Sequence, residues 1–334
     1  MKNKKEKLNK HKSYRKIILL ISIFLFCYIL TLKIFHQLNL NITNEEFLRN
    51  IINSSNNYMN SNIEKETIAT KVISFLANVD PKNPVTFLTN NYIKTLSIQQ
   101  IDNDALEDIN ELSKKSKYIN DPYSKVNIQD PLVYIYNTHQ LENYHQDNTE
   151  LYNITPNVMM TSYILREKLK DLGIQSIVEE TNIKEILNIN NWNYAASYKV
   201  TEMLINDVKI KYPSIKYFID IHRDSVKKQI TTAQINDLSY AKIMFLIGLE
   251  NPSYQNNLNL ATNLNNLLEK HYPGISRGIY KKEGPGVNGI YNQHLSSNVM
   301  LIEFGGVDND IYEVYNSVVA VANVLANYIG ANNE

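Results

Sequence analysis

The stretch YFIDIHRDS at Tyr217–Ser225 joins a short apolar run to a cluster of ionisable side chains. An apolar run of this length is typical of a buried strand, and the polar residues directly after it mark where the strand ends. Runs of the same type recur along the chain. Strands are therefore predicted at Leu132–Tyr136, Ile174–Val178, Tyr217–Ile221, Ala241–Leu249 and Val299–Phe304.

Segments with the apolar spacing of helices lie between and after these strands. Thr155-Pro156 is a typical helix start, a cap residue followed by proline, and Gly173 suits the end of that helix after about Leu172. Further helices are predicted at Ala195–Ile210, Gln255–His271 and Ile311–Ile329. Strands that alternate with helices of this length predict an α/β fold, with a mostly parallel twisted sheet and helices on both faces.

The N-terminal segment predicts a membrane anchor. Residues 1–16 carry eight Lys or Arg and one acidic residue, and the apolar run Ile17–Phe35 follows them. That length suits a single transmembrane helix, and the positive-inside rule places residues 1–16 in the cytoplasm and the rest of the chain outside it. A cleaved signal peptide is the alternative, but no small-residue cleavage pattern follows the apolar run.

The remainder of the chain is mildly acidic. Without residues 1–16 it holds 26 basic and 33 acidic residues, which excludes the basic surface that proteins use to bind nucleic acid. The single cysteine, Cys27, lies in the apolar run, so the part beyond it has no disulfide, thiolate ligand or cysteine nucleophile.

Composition divides the extracytoplasmic part in two. Residues 36–125 are rich in Asn, Ser, Lys and Glu, and we predict a partly helical spacer with a helix at Glu64–Asn78. This spacer is either a simple stalk or a segment that docks a partner. Residues 126–334 are predicted to form the catalytic domain.

Two predicted strands end in residues that bind metals. His139 and Glu142 follow the first strand, and His222 lies at the end of the strand in YFIDIHRDS. Because ligands of open α/β sheets bind beyond the carboxyl ends of the strands, these three side chains are expected to converge. Two imidazoles and one carboxylate form a typical catalytic Zn²⁺ site that leaves a fourth position for water.

Glu303 stands inside the apolar run VMLIEFGG at 299–306. A carboxylate is costly there unless it is paired or has a chemical role. Burial would raise its pKa and suit it to take a proton from an attacking water and return it to the leaving amine. The alternative is a structural role, in which Glu303 accepts hydrogen bonds from nearby backbone.

Other polar residues are candidates for contacts to the ligands or to the substrate. Asp220 and Asp224 flank His222, and either could orient its imidazole. Arg223 could hold a substrate carboxylate or pair internally with Asp224. Asn288 and His294 lie in or after a glycine-rich loop, which either forms hairpin turns or faces the substrate. The 23 tyrosines are dispersed, which favours packing over sugar binding.

Several blocks of this chain resemble the stage II sporulation protein P family. They are VYIYNTHQLENY, YFIDIHRDS, SYAKIMFLIGLENPSYQNNL, YPGISRGIYKKEGPGVNGIYNQHLSSN and LIEFGGVDN, in the expected order after an N-terminal anchor. The resemblance covers about Val126–Ile329, with a weaker echo at Asn83–Leu88. It implies a fold like that of the zinc N-acetylmuramoyl-L-alanine amidases. It also implies His139, Glu142 and His222 as zinc ligands and Glu303 as the catalytic carboxylate.

The activity that the resemblance implies is cleavage of the amide between N-acetylmuramic acid and the stem peptide of peptidoglycan. Endopeptidase action on cross-links, a setting in sporulation engulfment at the septal membrane, and stage II sporulation proteins D and M as partners are implied as well. This chain has Asn137 where the family usually has the first histidine of H-T-H, which leaves His139 as the metal residue.

Two rival functions fit the same residues. A zinc carboxypeptidase or endopeptidase acting only on stem peptides has the same order of ligands and differs in the bond it cleaves. A wall-binding scaffold without metal would keep the fold alone, and the intact His139, His222 and Glu303 argue against it.

Overall fold

The computed structural model describes residues 22, 23, 25, 43–59, 116–123, 128–146 and 154–331. Within these residues no helix is both long and apolar enough to cross a membrane. Most of the predicted anchor Ile17–Phe35 and all of the predicted helix Glu64–Asn78 lie outside the described residues.

A six-stranded sheet forms the centre of the molecule. Its order is β2-β1-β3-β8-β6-β7, and a separate two-stranded hairpin pairs β4 with β5. The strands are β1 Val133–Tyr136, β2 Ser176–Val178, β3 Tyr217–Asp224, β4 Thr232–Ile235, β5 Leu238–Ala241, β6 Ile243–Gly248, β7 Ser276–Lys282 and β8 Val299–Gly306. Every pairing in the large sheet is parallel except that of β6 with β8. The predicted mostly parallel sheet is thereby confirmed.

Helices cover both faces of this sheet. They are α1 Asn44–Met59, α2 Val158–Asp171, α3 Ile183–Ile189, α4 Ser197–Lys211, α5 Lys228–Thr231, α6 Tyr254–His271 and α7 Ile311–Ala331. The larger core packs α1, α2, α6 and α7 against one face, where Ile135, Ile219 and Ile302 point. On the other face α4 covers Tyr134 and Phe218. Strands buried on both faces are continuous apolar runs, which is why the sequence pattern identified them.

The start of α2 differs from the prediction. Asn157, and not Thr155, caps the helix, because its side-chain oxygen accepts hydrogen bonds from the backbone N–H groups of Met159 and Met160. Asparagine is as good a cap as threonine, and sequence alone does not rank two candidates two residues apart. The predicted end is correct, since Gly173 follows the helix with φ of 80°.

Besides α1, four elements were not predicted: α3, α5, the β4–β5 hairpin and the edge strand β7. The first three have seven residues or fewer in each segment, so they show at most two full periods of any apolar pattern. Strand β7, with the sequence SRGIYKK, is only partly buried at the edge of the sheet. Its sequence therefore lacks the continuous apolar run that is typical of the central strands.

Part of the predicted spacer contacts the domain. Leu48 of α1 is fully buried in the larger core, and Ile119 of the segment 116–123 joins the same cluster. The buried guanidinium of Arg166 in α2 holds this segment by a two-pronged ion pair to the carboxylate of Asp121. The two described pieces of residues 36–125 therefore pack against the α/β sheet layers, while the proposed domain boundaries stay a prediction.

We expect Leu48→Ala in the full chain to lower the melting temperature, because the truncation leaves a cavity where α1 meets the core. Such substitutions cost about 2–5 kcal/mol of unfolding free energy. Thermal unfolding followed by circular dichroism measures the effect, with the exposed Asn50→Ala as the matched control on the same helix. Equal melting temperatures for the two variants would show that α1 contributes nothing to the folded domain.

Candidate metal centre

The side chains of His139, Glu142 and His222 lie together at the carboxyl ends of β1 and β3. His139 and Glu142 belong to the turn after β1, in which the backbone N–H of Glu142 donates to the carbonyl of His139. His222 is near the end of β3, which pairs in parallel with β1. Parallel pairing places the ends of both strands at one edge of the sheet, and so three residues up to 83 positions apart converge.

The donor atoms fit a metal ion. Nδ1 of His139 lies 3.4 Å from Oε1 of Glu142, and Nδ1 of His222 lies 3.3 Å from Oε2 of the same carboxylate. One ligand atom from each of the three residues lies within 4.8 Å of the others. Ligands of a tetrahedral zinc ion with bonds of about 2.1 Å lie about 3.4 Å apart. The three residues therefore match the ligand set and spacing of an open zinc site.

The carboxylate of Asp220 lies against the Nε2 side of the His222 imidazole. Its carboxylate is fully buried and accepts hydrogen bonds from the backbone N–H and the hydroxyl of Thr138. Oδ1 of Asp220 also lies 3.0 Å from Nε2 of His222, at an angle outside that of a hydrogen bond. Burial would lower the pKa of His222, but the carboxylates of Asp220 and Glu142 raise it well above its ordinary value.

Glu142 is fixed by the backbone as well as by the imidazoles. Its Oε2 accepts a hydrogen bond of 2.9 Å from the backbone N–H of Arg223. Burial by itself would raise the pKa of Glu142, but the charge of His222 and the close approach of both imidazoles hold it well below its ordinary value. The carboxylate is therefore ionised, which is the form that binds a cation.

Asn137, which directly follows β1, has a structural role. Its Nδ2 donates to the carbonyls of Ile221 and Val158, and its Oδ1 accepts from the hydroxyl of Ser162. These bonds tie the end of β1 to β3 and to α2. Asn137 is accordingly not in the cluster of potential metal ligands.

Glu303 lies beside His222, because the two residues are paired in register between β8 and β3. Its Oε2 is buried and has no hydrogen-bond partner among the described residues. Burial raises the pKa of Glu303 to about 7; His222 opposes this shift, and the negative charge of Glu142 adds to it. A backbone-bonded structural carboxylate would have its acceptors filled, so the geometry favours the chemical alternative.

The turn after Glu303 requires glycine. Gly305 has φ of 68°, and a Cβ there would lie 2.5 Å from Oδ1 of Asn309. Asn309 in turn accepts a hydrogen bond from the backbone N–H of Gly306. Gly305 and Gly306 thus allow the backbone to turn sharply soon after Glu303 in the sequence.

Arg223 and Asp224 do not form the ion pair that the sequence left open. Asp224 pairs instead with Arg277 of β7 at 2.8 Å. The guanidinium of Arg223 donates to the carbonyls of Asn143 and Asp224. Its backbone N–H meets Glu142, so Arg223 lies at the rim of the site, where a carboxylate of a substrate would meet a positive charge.

Asn288 and His294 have partners of their own. The side-chain oxygen of Asn288 accepts from the backbone N–H groups of Ile290 and Tyr291 and so shapes the glycine-rich loop. The imidazole of His294 is partly exposed and lies 3.3 Å from the carboxylate of Glu202. His294 is not in the cluster of potential ligands. Their roles toward a substrate stay predictions.

The aromatic side chains that pack around His139 were not predicted from the sequence. The ring of Tyr194 stacks on the imidazole with centroids 4.7 Å apart, and Tyr198 meets it edge to face at 5.5 Å. Tyr291, from the glycine-rich loop, packs against Tyr198 in turn. The local sequence NNWNYAASY does not predict the contacts of Tyr194 and Tyr198, because they depend on how α4 and the residues before it pack against the turn after β1.

Comparison with known proteins identifies the family of this chain. The stage II sporulation protein P of Bacillus subtilis (strain 168) is 36% identical over 212 residues, which are 62% of this chain and 53% of that protein. The aligned region thus spans about half the length of this relative.

Two solved structures show weaker similarity. One is N-acetylmuramoyl-L-alanine amidase AmiC2 of Nostoc punctiforme, with 14% identity, a TM-score of 0.35, and coverage of 61% of this chain and 99% of that one. The other is a metallo-carboxypeptidase from Burkholderia cenocepacia, with 12% identity, a TM-score of 0.36, and coverage of 64% and 60%. Both scores are too low to establish a common fold.

The sequence profile of the stage II sporulation protein P family matches residues 46–326, which is most of the chain and includes most of α1 and every residue of the candidate metal centre. The chain belongs to the stage II sporulation protein P family.

Proposed function

We propose that this chain is a zinc-dependent peptidoglycan hydrolase that cleaves the amide between N-acetylmuramic acid and L-alanine of the stem peptide during sporulation. Membership of the family supports the substrate and the setting. The observation that carries the chemistry is the convergence of His139, Glu142 and His222 beside the unpartnered carboxylate oxygen of Glu303.

In this proposal His139, Glu142 and His222 hold Zn²⁺, and Asp220 positions the imidazole of His222. When bound, zinc lowers the pKa of water and polarises a carbonyl group. Glu303 takes the proton from the attacking water at Oε2 and returns it to the leaving amine. A pKa of about 7 suits both steps, since a group near the working pH both accepts and releases a proton readily.

The bond that is cleaved separates this proposal from a peptidase that acts only on stem peptides. An amidase releases peptides with a free L-alanine amine and leaves a free lactoyl carboxylate on the sugar. Endopeptidase action on cross-links would instead leave stem peptides attached to the glycan. We propose the amide as the main target, with cross-link cleavage as a secondary activity.

The proposed setting is the outer side of a membrane, with residues 17–35 as a single-pass anchor at the sporulation septum and the engulfing membrane. Stage II sporulation proteins D and M are the proposed partners there. Eight basic residues before the apolar run support this orientation.

The orientation is tested with a reporter fused after Glu334. We expect activity from a reporter that works only after export, because the basic residues keep the N-terminus in the cytoplasm. A second fusion to a reporter that works only in the cytoplasm is the control. Activity of the second and silence of the first would reverse the orientation and remove peptidoglycan as the substrate.

We expect the purified chain to bind about one zinc ion, and the double variant His139→Ala,His222→Ala to lose it, because a single carboxylate does not hold zinc. Elemental analysis after dialysis measures the content. His294→Ala is the matched control, since this histidine pairs with Glu202 on the surface and should leave zinc unchanged. Wild-type zinc in the double variant would contradict the ligand assignment.

We expect Glu303→Gln to bind zinc normally and to release stem peptides about 10²–10⁴ times more slowly, because glutamine keeps the shape but accepts no proton. Mass spectrometry of the products from purified sacculi, with and without a chelator, measures both the rate and the bond cleaved. Turnover near that of the wild type in a folded, zinc-loaded variant would end the proposed mechanism.

The pH dependence of stability separates the catalytic from a structural role of Glu303. Its pKa in the folded protein, about 7, is above the ordinary 4.5, so the folded state binds the proton more tightly. The stability from this group is present below pH 4.5 and is lost as the pH rises through 7. In chelated protein, Glu303→Gln should therefore match the wild type at pH 4.5 and exceed it by up to about 3 kcal/mol at pH 8. A structural hydrogen bond would make the variant less stable at both pH values.

A further inference from the structure

A cavity adjoins the candidate metal centre. It has a volume of about 190 Å³ and lies between the turn after β1, helix α3 and Tyr194. Thr138 at its edge directly precedes His139, and Tyr194 both lines the cavity and stacks on the imidazole of His139. The cavity therefore opens beside the position where the scissile bond would lie. It is smaller than the ~300–1,000 Å³ of pockets for drug-sized ligands, so it suits a single unit of a larger substrate.

Three aromatic rings from two separate parts of the chain line this cavity. They belong to Tyr118, Trp192 and Tyr194, and the ring of Tyr194 is more than half exposed. The ammonium group of Lys199 lies 4.0 Å from the centroid of the Trp192 ring, a cation–π contact that fixes the indole in place. Aromatic rings that are held in place and carry one polar tip suit a ligand that has both an apolar face and hydrogen-bonding groups.

The polar part of the lining contains amides and hydroxyl groups and no acid. Gln140 is fully occupied, since its amide bonds the carbonyl of Thr181 and the N–H of Ile183. The amide of Asn188 and the indole N–H of Trp192, in contrast, have no hydrogen-bond partner in the part of the chain described. No carboxylate lines the cavity, and Lys184 is its one ionisable group besides the tyrosines. Apart from the ammonium group of Lys184, the available donors are thus neutral and suit carbonyl and hydroxyl oxygens.

The two halves of the proposed substrate differ in these properties. The stem peptide carries free carboxylates, which Arg223 at the rim of the metal centre suits. The glycan presents a neutral sugar ring with an acetamido group, and its ring has the apolar face that aromatic side chains pack against. The aromatic rings and amide groups of the cavity match the sugar.

We propose that this cavity binds an N-acetylated sugar of the glycan strand next to the scissile amide. Trp192 and Tyr194 pack against the sugar ring, and the amide of Asn188 donates to its acetamido carbonyl. The inference rests on the proposed function for the identity of the substrate. It makes Tyr194 the link between sugar binding and the positioning of His139.

Trp192 is the chain's single tryptophan, so its fluorescence reports on this cavity alone. Chelated full-length protein is titrated with the disaccharide of N-acetylglucosamine and N-acetylmuramic acid, and separately with the stem peptide. We expect a saturable change with the disaccharide and none with the peptide. Asn188→Ala should weaken disaccharide binding about 2- to 10-fold, the effect of one hydrogen bond. Asn256→Ala, an exposed position on α6 across the sheet, should leave it unchanged.

A saturable response to the peptide alone would assign the cavity to the other half of the substrate and overturn the proposal. No response to either ligand would overturn it as well, as would equal binding by the Asn188→Ala and wild-type proteins. The disaccharide has no scissile amide and the titration uses no metal. These results therefore stand apart from the question of whether the chain is a zinc hydrolase, which the sacculus digestion decides.

Discussion

One carboxylate, that of Glu142, lies between two imidazoles, and the architecture around it serves to hold this arrangement. The carboxylate reaches His139 within its own turn and His222 across the parallel pair β1–β3. If β3 slipped by one residue, its alternate side chains would exchange faces and His222 would leave the site. Two sets of buried hydrogen bonds fix this register. Thr138 donates to the carboxylate of Asp220, and Asn137 donates to the carbonyls of Ile221 and Val158. The hydrogen bonds behind the site thus set the position of its charged groups.

The site also contains buried polar atoms without partners. Oε2 of Glu303 and Nε2 of His222 lack hydrogen bonds within the described residues, although most buried polar groups in native proteins have them. Two negative charges, Glu142 and Glu303, lie near His222, and each raises the free energy of ionising the other. A fold selected only for stability would remove this conflict. Its presence at one edge of a well-packed sheet is typical of a functional site.

The cavity beside the metal centre relates the fold to the substrate. Helix α3 with the Trp192 loop that follows it is one part of the chain, and the segment around Tyr118 is another. Both line this cavity beside the end of β1. Segment 116–123 is held in place by the ion pair of Asp121 with Arg166 of α2. Residues that precede the α/β strands in sequence therefore complete a wall of this cavity.

The sequence by itself determined the α/β class, the central strands, the long helices that follow residue 154 and the three candidate ligands. Each of these follows from a local pattern, an apolar run buried on both faces or a polar residue at a strand end, and such patterns survive without tertiary information. The chain could not show that Asn157 caps α2, that Asp224 pairs with Arg277, or that Trp192, Tyr118 and Tyr194 share a cavity. These depend on how distant segments dock. The tyrosines were dispersed in sequence and were read as packing, and only the docking of α3 and α4 against the turn after β1 placed one of them on His139.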